Sequence, residues 1–285
     1  MPRGIVSQLS GSTIEKKIAK ETVGKSTGGS VRAVPFSGVG VALLTFFGDD
    51  GALDPGATAA HAARLSDVGI AAIVVSGTTG EAAALDREER VTLLRAVRAA
   101  VPPTVSVVAG AGAPSARQAI GFGRDAADAG ADCLLVLSPA WSLDVRPYYA
   151  AVAAAVPDVP LLAYHWPAAS APGIPIELLA ELPVVGVKDS SGDPARLFAT
   201  IDAWDRPVYV GSPTVVGIAA ALGAPGTILG IANAEPERAI AAWAGDPIAQ
   251  SELAAAAHDS AAPFPGALKQ LTARRYGTPT TCRVF

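Results

Sequence analysis

The chain has 285 residues, 50% of them hydrophobic and 17% charged, with a formal net charge of -4. This supports a large buried core and excludes a disordered or fibrous chain; the acidic balance, without a Lys/Arg cluster near aromatic residues, excludes nucleic acid as the main partner. No window reaches the ~20 uninterrupted apolar residues of a membrane span and the N-terminus has no signal-peptide apolar core, so no membrane is expected and the cytoplasm is the default compartment.

Residues 1–35 read as a polar tail outside the fold, disordered in expectation. Its "GKS" lacks the upstream glycine and the preceding strand of a phosphate loop. From there the sequence alternates short apolar runs with amphipathic segments. The expected strands are 38–45, 71–77, 105–112, 133–139, 160–166, 184–190, 207–212 and 226–233, the last reading "GTILGIAN". Between them lie segments such as "DREERVTLLRAVRAAV" and "PIELLAEL", opening on Asp, Ser or Pro as helix starts do. Strands that are apolar throughout and separated by helices are parallel and covered on both faces. Eight such units predict an α/β fold, a (β/α)8 TIM barrel over about 36–244, with a C-terminal helical extension over about 245–285 in the same domain. The open doubly wound sheet is disfavoured because the first strand runs into "LLTFFGDDG" and not into a glycine-rich dinucleotide turn. Cys133 opens a strand as a small core residue, and neither the cysteines nor the three histidines have metal-ligand spacing.

A barrel of this kind carries its site at the carboxyl ends of the strands. Only six lysines occur, four of them in the tail, so Lys188 and Lys269 each call for a reason. Lys188 closes strand six in "LPVVGVKDSSGD". Burial lowers a lysine pKa toward roughly 7 to 8 and leaves an amine able to form a Schiff base with a ketone. The other reading is a Lys188 paired with Asp189 or another carboxylate, although Asp189 alternates to the opposite face. After strand two, "SGTTGE" brings backbone N–H groups and the hydroxyls of Thr78 and Thr79 toward one point, which suits a carboxylate, or else forms a glycine-shaped turn whose threonines cap a helix. Glu81 reads as an anchor of that turn. Tyr164 closes strand five as a proton donor and acceptor or as a core tyrosine, with His165 on the opposite face.

Taken together and in order, "GTTGE", the Tyr-x-x-Pro at 164–167 and "GVKDSSGD" resemble the dihydrodipicolinate synthase/N-acetylneuraminate lyase family of pyruvate-type class I aldolases, from about Phe36 to the end. The resemblance implies a lysine–substrate imine on Lys188 with no cofactor and no metal. It further implies Thr78 and Thr79 at the substrate carboxylate, Tyr164 as proton shuttle, and Gly211 and Ile228 lining the pocket. The implied partners are a 2-oxo acid, an aldehyde and further copies of the chain, since members are usually homotetramers.

Two positions depart from the synthases that make the lysine precursor. Ala169 stands where they carry an arginine that grips the second substrate's carboxylate, and Trp141 where a relay tyrosine enters the neighbouring subunit. An indole cannot relay a hydroxyl proton; Trp141 and Trp166 instead offer flat apolar surface to a bulky aldehyde, or pack at a subunit contact. Arg146 is either a substitute grip or an exposed helix-start arginine. The resemblance does not extend to oligomer contacts of the last helix many relatives carry beyond "TTCRVF". The leading expectation is a Schiff-base lyase; the alternatives are 4-hydroxy-tetrahydrodipicolinate synthase itself, a dehydratase of sugar-derived 2-oxo acids, and a non-catalytic barrel that binds a 2-oxo acid.

Overall fold

The computed structural model describes residues 34–284, so the GKS segment and all but the last two residues of the expected tail lie outside the described residues. Eight strands, β1 (Gly38–Ala42), β2 (Ala72–Val75), β3 (Ser106–Gly110), β4 (Cys133–Leu137), β5 (Leu161–His165), β6 (Gly186–Asp189), β7 (Val208–Val210) and β8 (Gly226–Leu229), close into one barrel in sequence order. Neighbours pair in parallel, and β8 returns to β1 through Gly40↔Ile228. The helices following β1 to β4 are α1 (Pro55–Val68), α2 (Arg87–Ala100), α3 (Ala116–Asp128) and α4 (Arg146–Ala155), and those following β6 to β8 are α5 (Pro194–Ala203), α6 (Val216–Ala221) and α7 (Pro236–Trp243). After them come α8 (Pro247–Asp259) and α9 (Gly266–Tyr276). The fold is the expected (β/α)8 barrel.

Local chemistry explains the helix starts. Asp54, Ser115, Asp193 and Asp246 each accept a backbone N–H of the first turn, and Asp86 forms a reciprocal capping box with Glu89 at α2. Two expectations need correction. The segment "PIELLAEL" is a short 3-10 helix, Ile176–Glu181, because Pro175 and Pro183 bracket a stretch too brief for an α-helix. The strands are also shorter than the apolar runs: Ser76 leaves the ladder with φ 53°, and Ile231–Asn233 is a 3-10 turn, not the end of a strand.

Alternation along the strands creates two cores. Residues such as Val41, Ile73, Val107 and Leu134 pack outward against the helices. Ala42, Val74, Leu135, Leu162 and Ile228 point inward. The inward set is sealed at the amino end of the barrel by Phe36, whose ring stacks on Tyr209 at 4.5 Å while the Tyr209 hydroxyl donates to its carbonyl at 2.7 Å. The opposite end is left open, and there the polar residues gather.

Candidate active site

Strand register sets Lys188 of β6 beside Tyr164 of β5. Both turn into the barrel mouth, and Nζ of Lys188 lies 4.3 Å from the centre of the Tyr164 ring. Lys188 is buried, and burial alone lowers its pKa to about 7. The competing pair with Asp189 does not form. Asp189 faces the helices, where it pairs with Arg196 at 2.7 Å and accepts the Ser191 N–H at 2.8 Å. His165 shares that outer side, its Nδ1 accepting the Ile174 N–H at 2.8 Å. A substantial share of the lysine nitrogen is therefore uncharged at neutral pH, and it faces little except the mouth cavity.

Burial pushes the Tyr164 phenol up to about 12, against the opposing pull of the Ser190 and Thr78 side chains. The hydroxyl keeps its proton and sits beside two hydroxyls, those of Ser190 and Thr78, able to pass one on. Ser190 was missed in reading the sequence, although the alternation that turns Lys188 inward also turns the residue two positions later to the same face. Gly211 follows from the same crowding: a Cβ there would meet Lys188 Cε at 2.8 Å and the Ser190 hydroxyl closer still. Only a glycine leaves room for the lysine arm.

Thr78 and Thr79 occupy the turn after β2, which is held by Gly80 and Glu81 N–H groups donating back to Gly77 and Thr78 carbonyls at 3.1 Å. Two clefts of about 520 Å3 each open beside this turn and meet at Tyr164. Thr79, Lys188, Ser190, Gly211 and Ile228 line one, with Trp166 and Phe264 on its wall. Thr78 and Ala169 line the other. Of the expected residues, Lys188, Tyr164, Thr78, Thr79, Gly211 and Ile228 thus come together. Trp141 does not join them: it is 87% exposed, has φ 65°, and lines neither cleft. Phe264, Leu268 and His258 reach the first cleft from the C-terminal extension, which gave no sequence sign of taking part.

The profile of the Dihydrodipicolinate synthetase family matches residues 35–270. The chain belongs to this family. Among similar proteins, a 4-hydroxy-tetrahydrodipicolinate synthase of Corynebacterium aurimucosum is 39% identical over 216 residues, covering 72% of this chain and 70% of the relative. A probable mitochondrial 4-hydroxy-2-oxoglutarate aldolase of Emericella nidulans is 35% identical over 227 residues, 71% of each chain. The pyruvate complex of the chloride-inhibited dihydrodipicolinate synthase from Acinetobacter baumannii superposes with a TM-score of 0.80 at 29% identity, over 88% of this chain and 92% of that one. As a member of the dihydrodipicolinate synthetase family the protein is an enzyme, a lyase of the pyruvate-dependent aldolase type.

Within that family frame the departures gain a place in space. Ala169 opens onto the second cleft beside Tyr164, and its methyl leaves nothing there to grip a carboxylate. Arg146 does not replace it: at the start of α4 it bonds Asp144 at 2.9 Å and Glu181 at 2.8 Å, and it lines neither cleft. Arg90 does line the second cleft, but its guanidinium donates to the Gly110 carbonyl at 3.3 Å and to the Ala82 carbonyl, and covers the Phe122 ring at 4.1 Å. Burial lowers its pKa to about 10.

Proposed function

We propose that the protein cleaves a 4-hydroxy-2-oxo acid into pyruvate and an aldehyde that carries no carboxylate, or runs the reverse condensation, through an imine on Lys188. The observation that carries this reading is a buried lysine amine, unpaired and lowered to about 7, against the phenol of Tyr164. The amine adds to the C2 carbonyl and water leaves, giving an iminium held by the Thr78–Thr79 turn at the carboxylate. Tyr164 oxygen accepts the C4 hydroxyl proton as its own passes to the Thr78 oxygen, which in the same movement releases its proton to water in the cleft. The C3–C4 bond breaks, its electrons enter the iminium as an enamine, and the aldehyde departs. Protonation at C3 and addition of water then release pyruvate and restore the amine.

Ala169 brings no charge to the second cleft, and the Arg90 guanidinium that lines it is already engaged by the Gly110 and Ala82 carbonyls and the Phe122 ring, which argues against a second carboxylate there. The Trp166 ring, stacked on Tyr164 with centres 6.1 Å apart, and Phe264 supply flat apolar surface for the aldehyde half. The protein acts as a homo-oligomer in the cytoplasm; the exposed Trp141 and Leu143 support the assembly. No described helix is long and apolar enough to cross a membrane.

Borohydride treatment with pyruvate, followed by peptide mass mapping, tests the imine: a reduced three-carbon adduct is expected on Lys188 and nowhere else. A product assay then compares pyruvate plus aspartate semialdehyde with a panel of 4-hydroxy-2-oxo acids bearing aryl or alkyl tails. Efficient turnover of the semialdehyde would overturn the assignment of an uncharged aldehyde.

A further inference from the structure

Lys269, the second lysine outside the tail, has no place in the chemistry above. It is fully buried on α9, and its Nζ lies 2.5 Å from Glu81 Oε1 and 2.6 Å from the Thr281 carbonyl. The other oxygen of Glu81 accepts the backbone N–H groups of Arg283 at 2.7 Å and Val284 at 2.8 Å. One carboxylate thus joins the turn after β2 to residues 281–284. Arg283 extends the strap. Its guanidinium donates to Gly51 oxygen at 2.7 Å and Ala84 oxygen at 3.1 Å, and forms a two-pronged pair with Glu89 at 2.7 Å. Both cations lie over the face of Phe47, at 4.5 Å for Lys269 and 4.4 Å for Arg283.

A buried pair of this kind adds little net stability over an apolar filling of the same volume, so its value lies in fixing geometry. What it fixes is adjacent to the site. Glu81 takes φ 54°, a left-handed conformation unfavourable for a residue with a side chain, and its N–H bonds the Thr78 carbonyl. Glu81 cannot turn without dragging Thr78. Gly80, between Thr79 and Glu81, is pinned as well, its carbonyl accepting from the Thr45 hydroxyl at 2.7 Å. Val284 itself lines the cleft that Thr78 lines.

We propose that Lys269 and Arg283 are positioning residues that act through Glu81 on the Thr78–Thr79 turn, so that the strap at 281–284 sets how tightly the carboxylate of the 2-oxo acid is held. The proposal rests on the reading of that turn as the carboxylate site. Its signature is a change in pyruvate affinity without a matching change in the maximal rate, because the strap touches no reacting atom.

Exchange of the pyruvate methyl protons with deuterium, followed by NMR, reports enamine formation without an aldehyde and gives both quantities. For Arg283→Ala the half-saturating pyruvate concentration is expected to rise about 10-fold, as for a binding group displaced by a fraction of an ångström, with the maximal rate within about 2-fold. Arg283→Lys recovers part of the loss. Glu89→Gln keeps the capping-box acceptor but loses the charge facing Arg283, and shifts half-saturation the same way by less. Arg87→Ala, a change on the same helix as Glu89 that removes an exposed pair with Asp125 of α3, leaves both parameters at the wild-type value. Half-saturation unmoved in Arg283→Ala and Glu89→Gln, or a fall in maximal rate alone, would overturn the proposal. Should Arg283→Ala not fold, Glu89→Gln decides by the same criterion. Borohydride trapping of the wild type separates the two levels: an adduct on another lysine overturns the functional reading and the strap with it, whereas an adduct on Lys188 with unmoved half-saturation overturns the strap only.

Discussion

The barrel mouth and its rim each bury a lysine, and they treat the charge in opposite ways. At the rim, Lys269 meets a carboxylate, a carbonyl and an aromatic face, and its nitrogen is fully engaged by them. In the mouth, Lys188 has the Tyr164 ring but neither a carboxylate nor a carbonyl to bind, and burial shifts its pKa to about 7. The same residue type thus serves as clamp or as nucleophile according to what surrounds its nitrogen. Pairing fixes position; the withholding of a pair produces reactivity, at a cost in stability that the rest of the fold must offset.

That cost gives the largest expected effect. Lys188→Met should reduce pyruvate exchange by at least about 10^4-fold, as for loss of a nucleophile. It should also stabilise the protein. The unfolded chain holds the lysine proton up to about pH 10.4, whereas the fold releases it near 7, so the wild type gains stability as pH rises between those limits. The substitution removes a penalty on the order of 4 kcal/mol at pH 7 and below, fading toward pH 10. Thermal unfolding at pH 6.5 and 9.5 measures this; equal gains at both would mean that Lys188 keeps its proton in the fold. In the wild type, kcat/KM for exchange should climb with pH to a plateau above about 7.

Tyr164→Phe separates the nucleophile from the proton relay. Carbon–carbon cleavage and methyl exchange should fall about 10^2- to 10^4-fold while the borohydride-trapped adduct on Lys188 persists. At the rim the expected readout is stability instead. Lys269→Met strands a buried carboxylate and should cost about 3–5 kcal/mol, whereas adding Glu81→Gln, which removes both charges, should restore most of it. Denaturant titration of the two variants checks this; a double variant no better than the single one would mean that packing around Phe47, and not the charge, is what Lys269 supplies.

The sequence exposed the mouth far better than the rim. Eight apolar runs are legible because a parallel barrel strand is covered on both faces and so needs no polar residue until it ends. Lys188 stood out as an inward-facing lysine in a chain that uses few. Lys269 was as conspicuous, but its reason lay 188 residues away in Glu81, and nothing local marks a pair that forms only when the C-terminal helices fold back over the barrel. The same distance hid Phe264 in the wall of the first cleft. Ser190 was within reach of the alternation argument, yet "DSSGD" reads first as a loop. The strand ends were overextended because apolar character continues past the last ladder bond.

The smallest effect bears on the part of the mouth that is this chain's own. If the aldehyde half lies on the Trp166 ring, Trp166→Leu keeps an apolar wall but removes the flat face, at a cost of ~0.5–1.5 kcal/mol for an aryl-tailed substrate, or up to about 10-fold in kcat/KM. Alkyl-tailed substrates should lose less, and pyruvate exchange, which involves no aldehyde, should not change. Because Trp166 stacks on Tyr164, a variant that slowed exchange as well would show that the indole supports the tyrosine and does not select the substrate. The complementary change, Ala169→Arg, adds to the second cleft a cation that is not engaged as Arg90 is, and should raise turnover of an acidic aldehyde relative to a neutral one. Opposite shifts in selectivity from the two substitutions, measured on one panel, would assign the uncharged aldehyde to the Trp166 wall and show that Arg90, engaged by the Gly110 and Ala82 carbonyls, does not grip a carboxylate across Tyr164.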